Sequence, residues 1–218
     1  RFDVPLANDP TGKWVHIAVT MKSGTNNTSV YINGNLAQSG TVTYNTALSS
    51  RSPVIGDIDG GQNTDNFPGA IDEVRVYNRI LTGAEIAVLY GQLPSQGLMA
   101  YYPFNGNAND GSGNGLHGTV TGTALTAGRI GDVSSAYLFS SSTHRITLPA
   151  GAIGMTTATE RTFSLWAKAT SVPVAPNNGG LISQYMHGST GVSNYFIGMD
   201  QNAGVSRVFV TGNGTGRF

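Results

Sequence analysis

From Trp14 to Met21 the chain alternates: Val15, Ile17, Val19 and Met21 fall on one side, Trp14, His16, Ala18 and Thr20 on the other. A period of two reads as a strand with one apolar face. The next apolar run, residues 29–37, is split by Asn33-Gly34. Both residues accept the positive φ of a two-residue turn, so a hairpin is predicted. Residues 48–58 predict a strand interrupted by Pro53, and residues 57–69 a polar loop. The stretch AIDEVRVYN, residues 70–78, predicts a strand with Asp72, Val74 and Val76 on one face and Ile71, Glu73, Arg75 and Tyr77 on the other. One helix is predicted, over 83–90. Thr82 is its cap, Glu85 closes a capping box, and Gly91 suits the stop. QLPSQG, residues 92–97, reads as a linker.

A second block opens with the strand LMAYYPF and the loop NGNANDGSGNGLHG, residues 105–118. Further strands are predicted at 136–139, 144–148, 162–169, 180–184, 194–200 and 207–211. Many short strands at regular spacing, divided by turn residues, predict a β-sandwich. No internal repeat is visible within the 218 residues.

Composition sharpens this. Charged residues are only 11% and glycines number 30, which is turn chemistry and argues against a charged helical bundle. Twelve basic and twelve acidic residues balance, and the only lysines are Lys13, Lys22 and Lys168. No basic stripe exists for phosphate backbones, so nucleic acid is excluded as a partner. No apolar run is long enough to span a bilayer, and no signal-peptide pattern is visible. Cysteine is absent, which excludes disulfides and thiolate chemistry. The polar, lysine-poor character points to an extracellular or cell-surface protein.

The stretches LMAYYPFNGNANDGSGNGLHGTVTG, AYLFS and TFSLWAKA resemble the opening half of a laminin-G-like, concanavalin A-like jelly roll. GKWVHIAVTMKSGTNNTSVYINGNLAQSG and FPGAIDEVRVYNRILTGAEIAVLY resemble its closing half. The resemblance implies an all-β, antiparallel sandwich with one short helix. It also implies an unusual order: residues 1–92 are the closing half, 93–97 a linker, and 98–218 the opening half. Arg-Phe stands at both ends, as Arg1-Phe2 and Arg217-Phe218. Joined across that dipeptide, the text runs from a strand through a turn into WVHIA. A lone half would expose an apolar face and unpaired edges, so the halves must meet, within one chain or between neighbours. The expectation is one unit of a tandem-repeat array or self-assembling fibre, with copies of itself as partners. A circular permutant and two half-present domains are the other readings.

Catalysis finds little footing. Glycoside hydrolysis needs two facing carboxyls. The only glutamates are Glu73, Glu85 and Glu160: Glu85 is a helix cap, Glu160 sits in a Thr-rich turn, and Glu73 adjoins Asp72 and points the other way. His16, His117, His144 and His187 show no metal-ligand spacing. A non-catalytic module is expected. Calcium is the expected cofactor, since it takes six to eight oxygens from carboxylates, amides and carbonyls. The loop 105–118 offers Asn107, Asn109, Asp110 and Asn114, and the resemblance implies an ion held by Asp110 and Asp72, with Asn109 and Asn114 beside them. The other reading gives Asp72 to loop amides and Asp110 to an Asx-turn. Asp57, Asp59 and Asp65, with Asn63, form a weaker second candidate in a loop otherwise read as solvated. A carbohydrate-binding lectin is the alternative function. Tyr185, Tyr195, Phe67 and Trp14 are its candidate platforms, and glycans or cell-surface proteins its partners.

Overall fold

The computed structural model describes residues 2–22, 27–44, 52–57, 66–90, 96–150, 153, 160–174, 179–184 and 195–212. The expected strand before Pro53 and the linker fall largely outside these residues. So do Asp59, Asn63, Asp65, Tyr185, His187, Gly91, Arg1, Arg217 and Phe218.

The elements run β1 (Phe2–Pro5), β2 (Val15–Lys22), β3 (Asn27–Ile32), β4 (Asn35–Gly40), β5 (Val54–Ile55), β6 (Gly69–Tyr77), α1 (Gly83–Leu89), β7 (Leu98–Tyr102), β8 (Thr119–Thr121), β9 (Ala124–Thr126), β10 (Ala136–Phe139), β11 (Arg145–Thr147), β12 (Glu160–Ala169), β13 (Gly179–Gln184), β14 (Tyr195–Asn202) and β15 (Val205–Thr211). The named strands pair antiparallel into two sheets. One has the order β1-β15-β14-β13-β5-β11-β8. The other has the order β4-β3-β2-β12-β6-β10-β9, with β7 also on β6. The architecture is the all-β sandwich that the resemblance implies. Strands β1, β8 and β9 carry no strong alternation and were not expected.

The alternation of β2 does what its pattern predicts. Val15, Ile17, Val19 and Met21 enter the core between the sheets, where Phe163 and Leu165 of β12 join them. From the facing sheet come Ile55, Ile146, Ile182, Tyr195, Ile197 and Val208. Phe163 and Tyr195 meet across the sandwich with ring centroids 4.7 Å apart.

Both sheets mix strands from the two ends of the chain. Strand β12 lies between β2 and β6, in ladders from Glu160↔Lys22 to Ala167↔Val15 and from Thr162↔Tyr77 to Ala169↔Gly69. Strand β1 pairs with β15, Phe2 opposite Val210. Residues 2–5 therefore lie beside residues 205–211 of the same chain.

Asn33 and Gly34 take φ of 50° and 80°, the two-residue turn expected between β3 and β4. Helix α1 has the expected cap. The Thr82 hydroxyl accepts from the Glu85 amide, and the Glu85 carboxylate accepts from the Thr82 amide at 2.8 Å. Arg79 clamps the same carboxylate at 2.7 and 3.0 Å. With Leu81, the helix buries Ile86 and Leu89 on Ala18 and Tyr77, on the outer face of the second sheet. The Leu81 amide donates to Thr162 Oγ1, whose hydroxyl donates to the Arg79 carbonyl, so the helix start is pinned to β12.

Phe163 is 1% exposed and bridges the sheets. Truncating it as Phe163→Ala should cost about 3–5 kcal/mol, with one cooperative transition retained. Chemical denaturation followed by far-UV dichroism checks this; a loss below about 1 kcal/mol would contradict the packing described.

Candidate functional site

The candidate site forms where β6 changes neighbours. On one side β6 follows β12 along its length. On the other it pairs with β10 over Gly69–Ile71 and with β7 from Val74 to Tyr77. Residues 72–73 fall at the junction. There Glu73 takes φ of +54°, and the register with β12 slips between Ser164 and Trp166. This is a bulge, and one extra residue reverses the alternation. Ile71, Val74 and Val76 all reach the core. Asp72 lies on the outer face with Arg75 and Tyr77. The face expected for Asp72 is thus corrected: strict alternation placed it with Val74 and Val76, and the bulge moves it off that side.

On the outer face the residues form a row. Trp166 stands opposite His16 on β2 and opposite Asp72 on β6. His16 Nε2 and Ser164 Oγ are 2.9 Å apart, and Asn33 Oδ1 accepts from the His16 amide at 3.0 Å. Tyr90, just beyond α1, stacks on Trp166 at 5.2 Å and 30°. The Arg129 guanidinium covers the Trp166 ring at 4.8 Å. Arg75 lies over the Tyr101 ring at 4.7 Å and is paired with the Glu73 carboxylate.

Asp72 is 3% exposed. Its Oδ2 accepts one bond, from the Arg129 amide at 3.2 Å, and its Oδ1 has no partner. Burial drives its pKa up to about 7 against the pull of the Arg129 and Glu73 amides, with the neighbouring Glu73 and Asp132 charges adding to the rise. Asp132 belongs to the loop that turns between β9 and β10. A Cβ placed on Gly128 would overlap Ser135 Oγ and lie 3.0 Å from both Asp132 Oδ1 and Asp72 Oδ2. The two carboxylates therefore approach within about 6 Å, and glycine at 128 keeps the space between them clear. The Gly128 amide and the Ser135 hydroxyl both donate to the Asp132 carbonyl, at 3.0 and 2.8 Å, which fixes the loop.

Asp110 has the opposite surroundings. Its Oδ1 accepts from the amides of Tyr101 and Ser112 at 3.0 and 2.8 Å. Its Oδ2 accepts from the Ser112 hydroxyl and the Leu116 amide at 2.9 and 3.0 Å. Burial alone would raise its pKa, but these four bonds outweigh it and hold the carboxyl below its ordinary range. The Ser112 amide bond is an Asx-turn, the second of the two readings open from sequence. Asn114 donates from Nδ2 to the Met99 carbonyl at 2.9 Å, and the Asn109 amide donates to Asn107 Oδ1 at 2.8 Å. Asp110 organises its loop against β7, while Asp72 takes its partner from the β9–β10 loop. The two share no contact.

Asp57 is fully buried, and its carbonyl accepts from the Ser183 hydroxyl at 3.0 Å. Among the expected platforms, Phe67 and Tyr195 are core residues with no exposed surface. Trp14 is half-buried, with Lys168 Nζ 5.1 Å from its ring centroid. Among the described residues no three carboxylates or histidines converge as a metal cluster. Nor is any helix there long and apolar enough to cross a membrane. Asp132, Arg129, Trp166 and Tyr90 were not singled out in the sequence. The Gly131-Asp132 turn was a signal for the loop, but nothing local ties it to Asp72, sixty residues earlier.

These features define a two-sheet, concanavalin A-like sandwich with a buried polar row on one outer face. Residues 3–87 match the model of the concanavalin A-like lectin/glucanases superfamily, Laminin_G_3. That stretch is similar to a laminin-G-like domain, and with the remaining strands it builds a two-sheet antiparallel sandwich. No curated protein and no solved structure matches the chain.

Two buried groups give opposite pH responses in protein freed of divalent cations. His16 is held down to about 4 by burial, with the Arg75 and Arg129 charges adding, from an ordinary value of 6.5. The folded state resists its protonation, so this group costs stability as pH falls from 6.5 through 4. Asp72 is raised from 3.8, so it costs stability as pH rises from about 4 through 7. Urea midpoints measured across this range should show H16Q flattening the acid-side loss. D72N should gain stability over the wild type above pH 7 but not below pH 4. Parallel profiles for both variants and the wild type would refute these assignments.

Proposed function

We propose that this chain is a non-catalytic binding module of the lectin or adhesion type, held at one rim by a calcium ion between Asp72 and Asp132. The observation that carries the ion is Asp72 Oδ1, a carboxylate oxygen buried on an outer face without a partner. An uncompensated buried charge is costly, and a cation bound by both carboxylates and loop carbonyls removes that cost. The expected pairing of Asp72 with Asp110 is replaced by this one, because four N–H and O–H donors already engage the Asp110 oxygens.

The glutamates support a module without hydrolytic chemistry. Glu73 pairs with Arg75, Glu85 with Arg79 and Glu160 with Lys22. Each is a structural partner, and no two of them face one another across a cleft. In the close carboxylate pair, Asp72 and Asp132, Asp72 is buried. An extracellular or cell-surface location goes with this reading, supported by the domain type and the polar, lysine-poor composition.

Assembly with copies of itself, as a repeat or fibre unit, belongs to the same proposal. What supports it is strand β4, an uncharged edge strand exposed almost throughout. Such edges recruit other strands. Sedimentation at rising protein concentration separates chain-to-chain association from a persistent monomer.

Adding calcium should raise the melting temperature of chelator-treated protein. The gain is about 2.7 kcal/mol at a hundredfold excess over the dissociation constant. D132N, at an exposed position, should abolish that gain while leaving the chelated midpoint nearly unchanged. Identical melts in calcium and in chelator would end the calcium proposal.

A further inference from the structure

Strand β1 is a small, separable piece at the edge of the first sheet. It spans four residues, packs on β15 and β4, and is joined to β2 by residues 6–14, which are largely exposed. Extended, that connection reaches about 30 Å. Two side chains seat the strand: Phe2 and Val4 enter the core, opposite Val210 and Val208 of β15. A Cβ placed on Gly40 of β4 would overlap the Phe2 ring, so glycine there leaves a socket for it. Asp3 reaches Arg207 at 3.5 Å, but the buried Asp200 holds Arg207 more closely, at 2.6 and 3.3 Å. Arg207 therefore keeps its ion pair with Asp200 when β1 leaves, and departure strands no buried charge.

Departure does uncover the apolar socket and the edge of β15, a strand of seven residues without proline. Open backbone groups and an empty apolar socket both call for a replacement strand. The site sets its chemistry. It takes an extended segment with an aromatic and a β-branched residue on one face, two positions apart, and a carboxylate between them for Arg207. The β1 strand of a second copy meets every one of these terms. Growth of the sheet beyond β1 is blunted, because Pro5 offers no amide and Asp3 brings a charge to that edge.

We propose that the groove between β15 and Gly40 is a strand-acceptor site, and that copies of this chain join by exchanging β1, with Phe2 and Val4 of one copy filling the socket of the next. The inference rests on the assembly reading and gives it a donor, an acceptor and a register, Phe2 opposite Val210. Exchange makes no contact that the single chain lacks. A chain's own β1 is tethered at an effective concentration on the order of millimolar, so free copies exchange only when concentrated. Neighbours in a tandem array are tethered to one another, and there a neighbour's strand competes on similar terms. Donor and acceptor are different surfaces, so the contact runs head to tail and can continue from copy to copy.

A fluorescein-labelled peptide of residues 1–8, RFDVPLAN, tests this with the full-length chain. Its anisotropy should rise saturably, and slowly, since the resident β1 must leave first. A control peptide carrying F2D and V4D should not bind. G40A, which fills the socket, should weaken peptide binding about tenfold, with the far-UV dichroism of the protein unchanged. In sedimentation at rising protein concentration, excess peptide should return associated chains to monomer. No saturable binding, or equal binding of the control peptide, overturns the proposal. Association that excess peptide leaves untouched also overturns it while the assembly reading stands, as pairing through β4 would. A chain that is monomeric at every concentration overturns the assembly reading, and exchange between copies with it.

Discussion

Strand β12 lies between β2 and β6, and the sandwich depends on that placement. Its ladder to β2 and its ladder to β6 join residues 160–169 to strands more than eighty residues earlier in the chain. Neither partner could stand in for it. Without β12, the inner faces of β2 and β6 would lose Phe163 and Leu165, and two strand edges would open in the middle of a sheet. The non-local contact is closed late in chain order and carries a loop-closure cost. The apolar inner face of β12 offsets that cost, because Phe163 and Leu165 have almost no exposure.

The same strand sets the chemistry of the outer face. Its inner residues are apolar, so its alternate residues, Ser164 and Trp166, are delivered outward beside His16 and Arg75. A ladder that slips by one residue at Glu73 then brings Asp72 into this row. Helix α1 buries part of the face with Ile86 and Leu89, and the β9–β10 loop approaches with Arg129. Polar groups thus become buried without a full set of partners. The depressed His16 and the elevated Asp72 are two results of this one burial, acting on groups of opposite charge.

Much of this was legible in the sequence where the rule is local. The β2 alternation, the Asn33-Gly34 turn and the Thr82–Glu85 capping box depend on residues within a few positions of one another, and each is found as read. Strands β8 and β9 were not legible because they are three residues long and half exposed, with no period to detect. The bulge at Glu73 was not legible either. Glutamate does not favour positive φ, and only the split pairing of β6, with β10 and then β7, explains why it occurs there. An error of one residue in register inverted the face of Asp72, the residue on which the site reading turned.

Asp72 and Asp110 show why residue type alone could not locate the site. Both are aspartates, both are buried or nearly so, and both lie beside the junction of β6 and β7. One receives four hydrogen bonds and is held ionised; the other receives one at Oδ2 and none at Oδ1. The difference lies in the backbone around them. The loop at Asp110 turns back on itself within six residues, so its own amides reach the carboxylate, and charge is compensated locally. Asp72 sits on a strand at the point where β6 changes neighbours, and the one hydrogen bond its carboxylate accepts at Oδ2 comes from another segment. The β9–β10 loop supplies a single amide and a second carboxylate. A site that lacks donors and gathers negative charge is suited to a cation, whereas one saturated with donors is a folding device. Counting donors around each carboxylate therefore separates structural aspartates from candidate ligands, and in this fold that count is decided by sheet register.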